Sequence, residues 1–206
     1  MQWVDKFSII SDWIIRIVWT NIIWVVLTLM GGIILGLMPA TVALFTVTRK
    51  WTRGDLDAPI WRLAFQTYKQ VFWSANLAGL IFLGLTAFLY IDLRIVFTMM
   101  HGLLSTMLYF FLMFLLFVTL FAWLQYFAIF THFKMKGALQ YVVQAFLFVF
   151  TSLKTTLFVL VGLLLIGWLF SKVPAFILFA SGTFPAYWIM KVDMPRFKKM
   201  EEQISS

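Results

Sequence analysis

The side chains that could do chemistry in this chain are few. It has eight acidic residues, two histidines and no cysteine. Without Cys there is no thiol nucleophile, no structural disulfide and no thiolate metal site. His101 and His132 stand at the two ends of one apolar run, about a membrane thickness apart, so they cannot bind one metal from a straight helix. His-Glu-x-x-His, Gly-x-Ser-x-Gly and P-loop signatures are absent. No two carboxylates fall within one apolar span, so glycoside hydrolysis would lack its acid–base pair. Every acidic residue lies where the sequence places water. The expectation is a protein that is not an enzyme, with no catalytic residues, cofactor or metal.

The uncharged polar residues are better placed. Asn21 lies early in the first apolar run, Asn76 early in the second and Gln125 near the end of the third. In lipid such amides seek interhelical partners, typically worth about 0.6 kcal/mol and up to about 2. They support helix packing, or with Thr28 and Thr86 they line a polar path. Gly36 and Pro39, with Gly31 and Gly32 before them, read as a hinge or as close packing of helix backbones. Asp92 and Arg94 are two apart, share no helix face and read as a solvated turn. Lys154 reads as an interfacial residue whose stem snorkels.

The elements that must hold these residues follow from composition. Hydrophobic residues make up 63% of the 206 residues, charged ones only 12%, and mean hydropathy is +0.97. A soluble domain carries roughly 25% charged residues, so this chain is an integral membrane protein. The fold class is all-α, a polytopic transmembrane helix bundle forming one membrane domain over 1–206. Asp5 and Asp12 stand where a signal peptide is basic, so the first apolar run reads as a retained anchor. A helix needs about 20 apolar residues to cross. The charge-free intervals give about five spans: 17–37, 74–92, 101–130, 154–171 and 174–190. Pro39 ends the first and starts a segment to Trp51, because proline lacks the N–H of a continuing helix. Pro174 opens the fifth span, and Pro185 bends its last turns.

Lys and Arg set the orientation. Five spans put Arg49, Lys50, Arg53, Arg62, Lys69, Lys134, Lys136, Lys154, Lys191, Arg196, Lys198 and Lys199 on one side. Lys6, Arg16, Arg94 and Lys172 fall on the other. Twelve against four places the N-terminus outside and the tail 191–206 in the cytoplasm. Trp51, Trp73, Trp123, Tyr126, Tyr187 and Trp188 read as an inner aromatic belt, and Trp19, Tyr90 and Trp168 as an outer one.

Three stretches read as interfacial helices. In 2–18, Val4, Phe7, Ser11, Ile14 and Val18 share one face, and Asp5, Asp12 and Arg16 another. In 57–73, capped by Asp57, Trp61, Phe65, Tyr68 and Phe72 oppose Arg62, Gln66, Lys69 and Gln70. This is the pattern of a helix lying on the inner surface. In 138–150 only Gln140 and Gln144 are polar. The order span, basic loop, amphipathic helix, span occurs in 17–92 and again in 101–171. A shift of 78 residues brings Ser74 onto Ser152 and Gly84 onto Gly162. These are candidate half-repeats about an axis along the membrane normal.

The series Gly36-Leu37-Met38-Pro39-Ala40-Thr41, Arg49-Lys50-Trp51, Gly54-Asp55, Pro59-Ile60, Phe65, Tyr68-Lys69, Phe72, Ser74-Ala75-Asn76 and Asp92 resembles the YesL-like family. These are small bacterial membrane proteins built on a domain of unknown function. The resemblance covers most of the chain and is most specific at the Gly-Leu-Met-Pro-Ala-Thr turn; 100–206 match mainly in hydropathy. Members are commonly encoded beside carbohydrate ABC-transporter components and sensor kinases. The resemblance therefore implies a role around sugar uptake or its regulation, and supplies no catalytic residues. The expected partners are the lipid bilayer and a membrane protein, either a transporter component or a second copy of this chain. Docking would use the inner surface at Arg49, Lys50, Trp51, Arg62 and Lys69. Nucleic acid is not expected, because the longest basic stretch flanks the membrane. The alternative function is a small-solute transporter or channel, with a path between the half-repeats lined by Asn21, Asn76 and Gln125.

Overall fold

The computed structural model describes the backbone of residues 2–205 and the side chains of residues 8–202. Every regular element among them is a helix: α1 Gln2–Met30, α2 Ile34–Thr52, α3 Ile60–Met99, α4 Leu103–His132, α5 Ala138–Thr151, α6 Leu153–Lys172, α7 Ala175–Ala180 and α8 Thr183–Ser205. Among the described residues, four stretches are long and apolar enough to cross a membrane: Ser8–Met30, α3, α4 and α6. The expected helical membrane bundle is the fold. It divides into two compact units, residues 1–72 with 154–206, and residues 73–153.

In the first unit the chain turns at Gly31–Ile33, not at Pro39. Gly32 takes the left-handed conformation (φ 69°) and donates to the Leu29 carbonyl at 3.0 Å, while the Ile33 N–H reaches the Thr28 carbonyl at 3.0 Å. This pair of bonds is a Schellman stop, which needs a residue at positive φ just past the helix end. Ile33 is also at positive φ (68°), where a β-branched residue is strained. Pro39 sits buried in the second turn of α2, where it contributes no N–H to the ladder and the helix continues through it.

The turn folds α2 back along α1 for its whole length. Near the turn, a methyl on Gly36 would run into the backbone of Thr28, and one on Gly31 into that of Gly36. Midway, the Trp24 indole donates to Thr41 Oγ1 at 3.2 Å. At the far end the Trp13 and Trp51 rings meet edge-on at 5.9 Å, and Arg16 donates to the Leu56 carbonyl. Trp13 and Arg16 therefore lie at the same end of the hairpin as Trp51 and the loop after it. This corrects the expectation that the N-terminal segment and the 49–73 loop lie on opposite sides. It also merges the expected interfacial helix 2–18 with the first span; Val4, Asp5 and Phe7 of its faces lie outside the described side chains.

α2 is the core of this unit, with Ala40, Val42, Ala43, Leu44, Val47 and Trp51 all buried. The stretch expected to lie on the membrane surface is the start of α3. Its Ala64 and Tyr68 pack with Ile23, Leu27, Ala43 and Val47, so its apolar face is turned in part to protein, while Arg62, Gln66, Lys69 and Gln70 stay exposed. The expected fifth span is broken at Ser181–Gly182 into α7 and α8. Pro185 falls in the first turn of α8, where it costs little, and the interior proline is Pro195. The tail after 190 continues α8 as helix. The Trp188 indole lies over Gly162 of α6 and donates to the Val159 carbonyl at 3.2 Å.

The second unit holds residues 73–99 of α3, with α4 and α5. α3 stays helical through Asp92 and Arg94, so the turn lies beyond Met99, at Gly102 (φ 95°). There Ser105 Oγ donates to the Met100 carbonyl at 3.1 Å. Leu89, Leu93, Val96 and Leu112 close this end. At mid-height the Phe82 ring stacks on Trp123 at 5.7 Å and meets Tyr126 at 5.7 Å. Between α4 and α5, the Tyr141 hydroxyl donates to the Phe133 carbonyl at 3.0 Å and accepts from the Met135 N–H at 2.9 Å. Ser152 is extended (φ −153°, ψ 92°), so 138–172 forms two helices and Lys154 sits in the first turn of α6.

Candidate functional site

The polar and aromatic side chains of the first unit gather at the end of the hairpin away from Gly31. Trp13 from α1, Trp51 from α2 and Tyr187 from α8 form a triangle with centroid separations of 5.9, 5.3 and 6.3 Å. Three helices thus present an aromatic ring at one level. Aromatic pairs of this geometry add about 0.5–1.5 kcal/mol each beyond area burial. Trp51 is only 4% exposed, so it is part of the core here and not of an open belt. Tyr126 departs from the belt in the same way and Trp188 is half-buried, whereas Trp19, Trp73, Tyr90 and Trp168 are exposed as expected.

Around the triangle the charges pair weakly. Lys50 meets Asp55 at 2.9 Å, and Arg53 meets Glu201 at 3.7 Å. All four side chains are more than 40% exposed, so each pair contributes only about 0–1 kcal/mol. Lys50 and Arg62 share the rim of an open cleft of about 470 Å³ with Asp55, Asp57 and Gln66. Lys69 lies about two turns further along α3 and covers the Phe65 ring at 4.4 Å. The structure thus brings Lys50, Trp51 and Arg62 to one end of the unit, with half-buried Arg49 beside them, and leaves Lys69 apart from that cleft.

Sequence reasoning missed Asp193. It is fully buried, contrary to the expectation that every carboxylate sits near water. Arg196, one turn on, donates to it at 3.2 Å and is itself mostly buried. Burial pulls the Arg196 guanidinium below its usual pKa, and the Asp193 carboxylate opposes that shift. The i,i+3 spacing in Asp193-Met194-Pro195-Arg196 was a legible signal. It was masked by reading 191–206 as a free tail.

The polar-path candidates do different things. Asn21 is completely buried, and both its amide nitrogen and its amide oxygen are hydrogen-bonded. Its Nδ2 donates to the Leu178 carbonyl at 2.9 Å, and its Oδ1 accepts from the Gly182 N–H at 2.9 Å and the Thr183 N–H at 3.4 Å. One amide thereby ties α1 to the break between α7 and α8, supplying the end groups that the two helices lack. Thr28 is bonded back to the Trp24 carbonyl at 2.8 Å. Asn76 and Gln125 belong to the second unit. Asn76 is half-buried, and Gln125 is fully buried with neither amide atom hydrogen-bonded among the described residues. His132 is buried and His101 exposed; no group of three or more His, Asp or Glu side chains converges as metal ligands among the described residues. Of the hinge pair, Gly36 faces Thr28 across the hairpin and Pro39 is buried beside it in α2.

Comparison with known proteins bears on this arrangement. The family described as "Protein of unknown function, DUF624" matches residues 17–93, which takes in the hairpin, the charged loop and α3 as far as Leu93. The uncharacterized protein YesL of Bacillus subtilis is 30% identical over 191 residues, covering 93% of this chain and 89% of YesL. The chain belongs to the YesL-like family. A second uncharacterized B. subtilis protein, YteU, is 32% identical over 93% of this chain and 85% of its own length. A third, YesV, is 42% identical over 72 residues, about a third of each chain. No solved structure matches. Within the matched residues, Gly36–Thr41 is the start of α2, where Gly36 admits the α1 backbone and Thr41 receives the Trp24 indole.

Proposed function

We propose that this YesL-like protein is a non-enzymatic multi-pass protein of the bacterial cell membrane, acting as an accessory or regulatory partner of a carbohydrate uptake system of the ABC type. Its docking end is the one where Arg49, Lys50, Trp51 and Arg62 meet the charged part of α8. The observation that carries this reading is the convergence of three separate stretches, 13–16, 49–62 and 187–201, at one end of one unit. The partner is a transporter component or a second copy of the chain.

Membrane sidedness supports the same end. α1 and α2 are antiparallel, so whatever α1 crosses, α2 crosses back. Following the chain from there, Lys6, Arg16, Arg49, Lys50, Arg53, Arg62, Lys69, Lys134, Lys136, Lys154, Lys191, Arg196, Lys198 and Lys199 fall on one side, and only Arg94 and Lys172 on the other. Fourteen against two is a stronger bias than twelve against four, and it supports a topology with both termini in the cytoplasm. The solute-carrier reading is the weaker one, because the best-placed polar residue, Asn21, has its amide committed to holding backbone ends.

The chain has no native Cys, so single cysteines report sidedness cleanly. Cysteines at Ser8, Thr52 and Glu202 are expected to react only from the cytoplasm, and one at Thr106 only from outside. Opposite-side labelling of Ser8 and Thr52 would overturn the hairpin crossing. In native membranes, Gln at Arg49, Lys50 and Arg62 is expected to release a co-purifying transport component or second copy while the protein remains inserted. Solute flux from the pure protein in proteoliposomes would instead favour the carrier.

A further inference from the structure

Two cavities of the first unit lie in line along one face of α8. The first is an open cleft of about 380 Å³ between the end of α2 and α8, lined by Trp51, Thr52, Tyr187, Lys191, Met194 and Lys198 among others. Lys191 and Lys198 are exposed on its rim, and neither enters an ion pair among the described residues; Lys191 stands 5.8 Å from the Tyr187 ring centre. Trp51 forms part of its wall, is only 4% exposed, and has an indole N–H with no acceptor among the described residues. A buried donor without a partner costs about 1–3 kcal/mol, so its place in a cleft wall points to an acceptor that arrives with a ligand.

The second cavity, also about 380 Å³, is wholly apolar. It is walled by Ile14 and Val18 of α1, Phe170 of α6, Phe176 of α7 and Phe184 of α8. Phe184, Tyr187, Lys191 and Lys198 follow at intervals of three, four and seven residues, so they share one stripe of α8. Phe184 and Lys191 are two turns apart, about 10 Å along the axis. The stripe thus runs from an apolar cavity, past an aromatic ring, to two unpaired cations beside a buried donor without an acceptor among the described residues. That order of chemistry matches one amphiphile: acyl chain, glycerol ester, phosphate.

We propose that this stripe is a binding site for an anionic glycerophospholipid. One acyl chain occupies the cavity at Phe184, and the phosphate lies between Lys191 and Lys198 within reach of the Trp51 indole. Basic pockets between membrane helices recognise anionic headgroups by this chemistry. The site extends beyond the proposed docking role and does not depend on it, since its ligand is a lipid and its test needs no protein partner.

The test uses the purified full chain in mild detergent, with native mass spectrometry counting retained lipid. The probes are phosphatidylglycerol, phosphatidylcholine, and glycerol 3-phosphate as a competitor without acyl chains. Selective retention of phosphatidylglycerol over phosphatidylcholine is expected. A lysine near an anionic surface is worth a factor of about five, so the double variant Lys191→Gln/Lys198→Gln should lose about 25-fold in that preference. Lys191→Arg/Lys198→Arg should keep it, which separates charge from misfolding. Ala180→Trp, which fills the apolar cavity, should lower retention of both lipids. Equal retention of the two lipids by the native chain would overturn the proposal, as would an unchanged preference in the Gln variant. Displacement of the lipid by millimolar glycerol 3-phosphate would assign the site to a soluble phosphate compound and overturn the lipid reading.

Discussion

Replacing Asn21 by Leu tests whether a buried amide in this bundle holds the fold or marks a path. Leu repeats the branched outline of Asn, so the perturbation is chiefly the loss of polarity. Three contacts disappear: to the Leu178 carbonyl at 2.9 Å, from Gly182 N–H at 2.9 Å and from Thr183 N–H at 3.4 Å. The two shorter bonds dominate, because a 3.4 Å contact is already weak. At about 0.6–1.7 kcal/mol per interhelical bond in a membrane, the loss is about 1–3 kcal/mol. For a chain of this size that corresponds to a fall in melting temperature of about 3–10 °C. The damage should be local, since the freed groups all belong to the α7–α8 break. Thermal unfolding in detergent measures the first effect. Amide exchange measures the second, with residues 176–186 losing protection before α2 does. An unchanged melting temperature with unchanged protection across 176–186 would refute the reasoning. Loss of a measurable solute flux at full stability would refute it too, because the amide would then be serving a ligand.

Two glycines give further tests. In Gly36→Ala the new methyl meets the Thr28 backbone, which cannot rotate away. α1 and α2 must separate, and a loss of about 1–3 kcal/mol is expected from denaturant-induced unfolding. In Gly162→Ala the methyl meets the Trp188 ring, a side chain that can move, so the loss should be smaller. It should be largely rescued by Trp188→Leu, a non-additive double-mutant cycle that an indirect effect would not produce.

The membrane class, the all-helical fold and the faces of several helices were legible because charge is sparse and its spacing is physical. Arg62, Gln66, Lys69 and Gln70 were read as one exposed face and are exposed. What that reading lacked was the other face: Ala64 and Tyr68 look equally suited to lipid or to protein, and only the hairpin beside them decides which. Asp193 was hidden for a related reason. A charge near the end of a chain reads as solvated unless the helix carrying it is known to pack. The glycine correspondence in the proposed half-repeats shows the same limit. Gly162 lies under Trp188 while Gly84 has no neighbour near it, although both are glycines in apolar helices.

The misplaced turn had the largest consequence, and its cause lies in two competing signals. Pro39 was taken as the stop because proline removes a hydrogen bond and crowds the preceding turn. At the sixth position of α2 that penalty is one missing ladder bond near the helix start, which α2 tolerates without ending. Gly31-Gly32 carries the opposite signal: glycine at positive φ completes a Schellman stop and leaves room for close backbones. A stop at Pro39 gives one crossing and an interfacial stub, with Arg16 facing the opposite side from Arg49. A stop at Gly32 gives two helices that return the chain to its starting side, and every charge from Lys6 to Lys69 then shares one face of the membrane. The sidedness proposed above therefore turns on the short turn Gly31–Ile33, with Gly32 and Ile33 at positive φ. Because hairpin parity and charge bias are independent arguments, their agreement at fourteen against two supports the turn as much as the turn supports the topology.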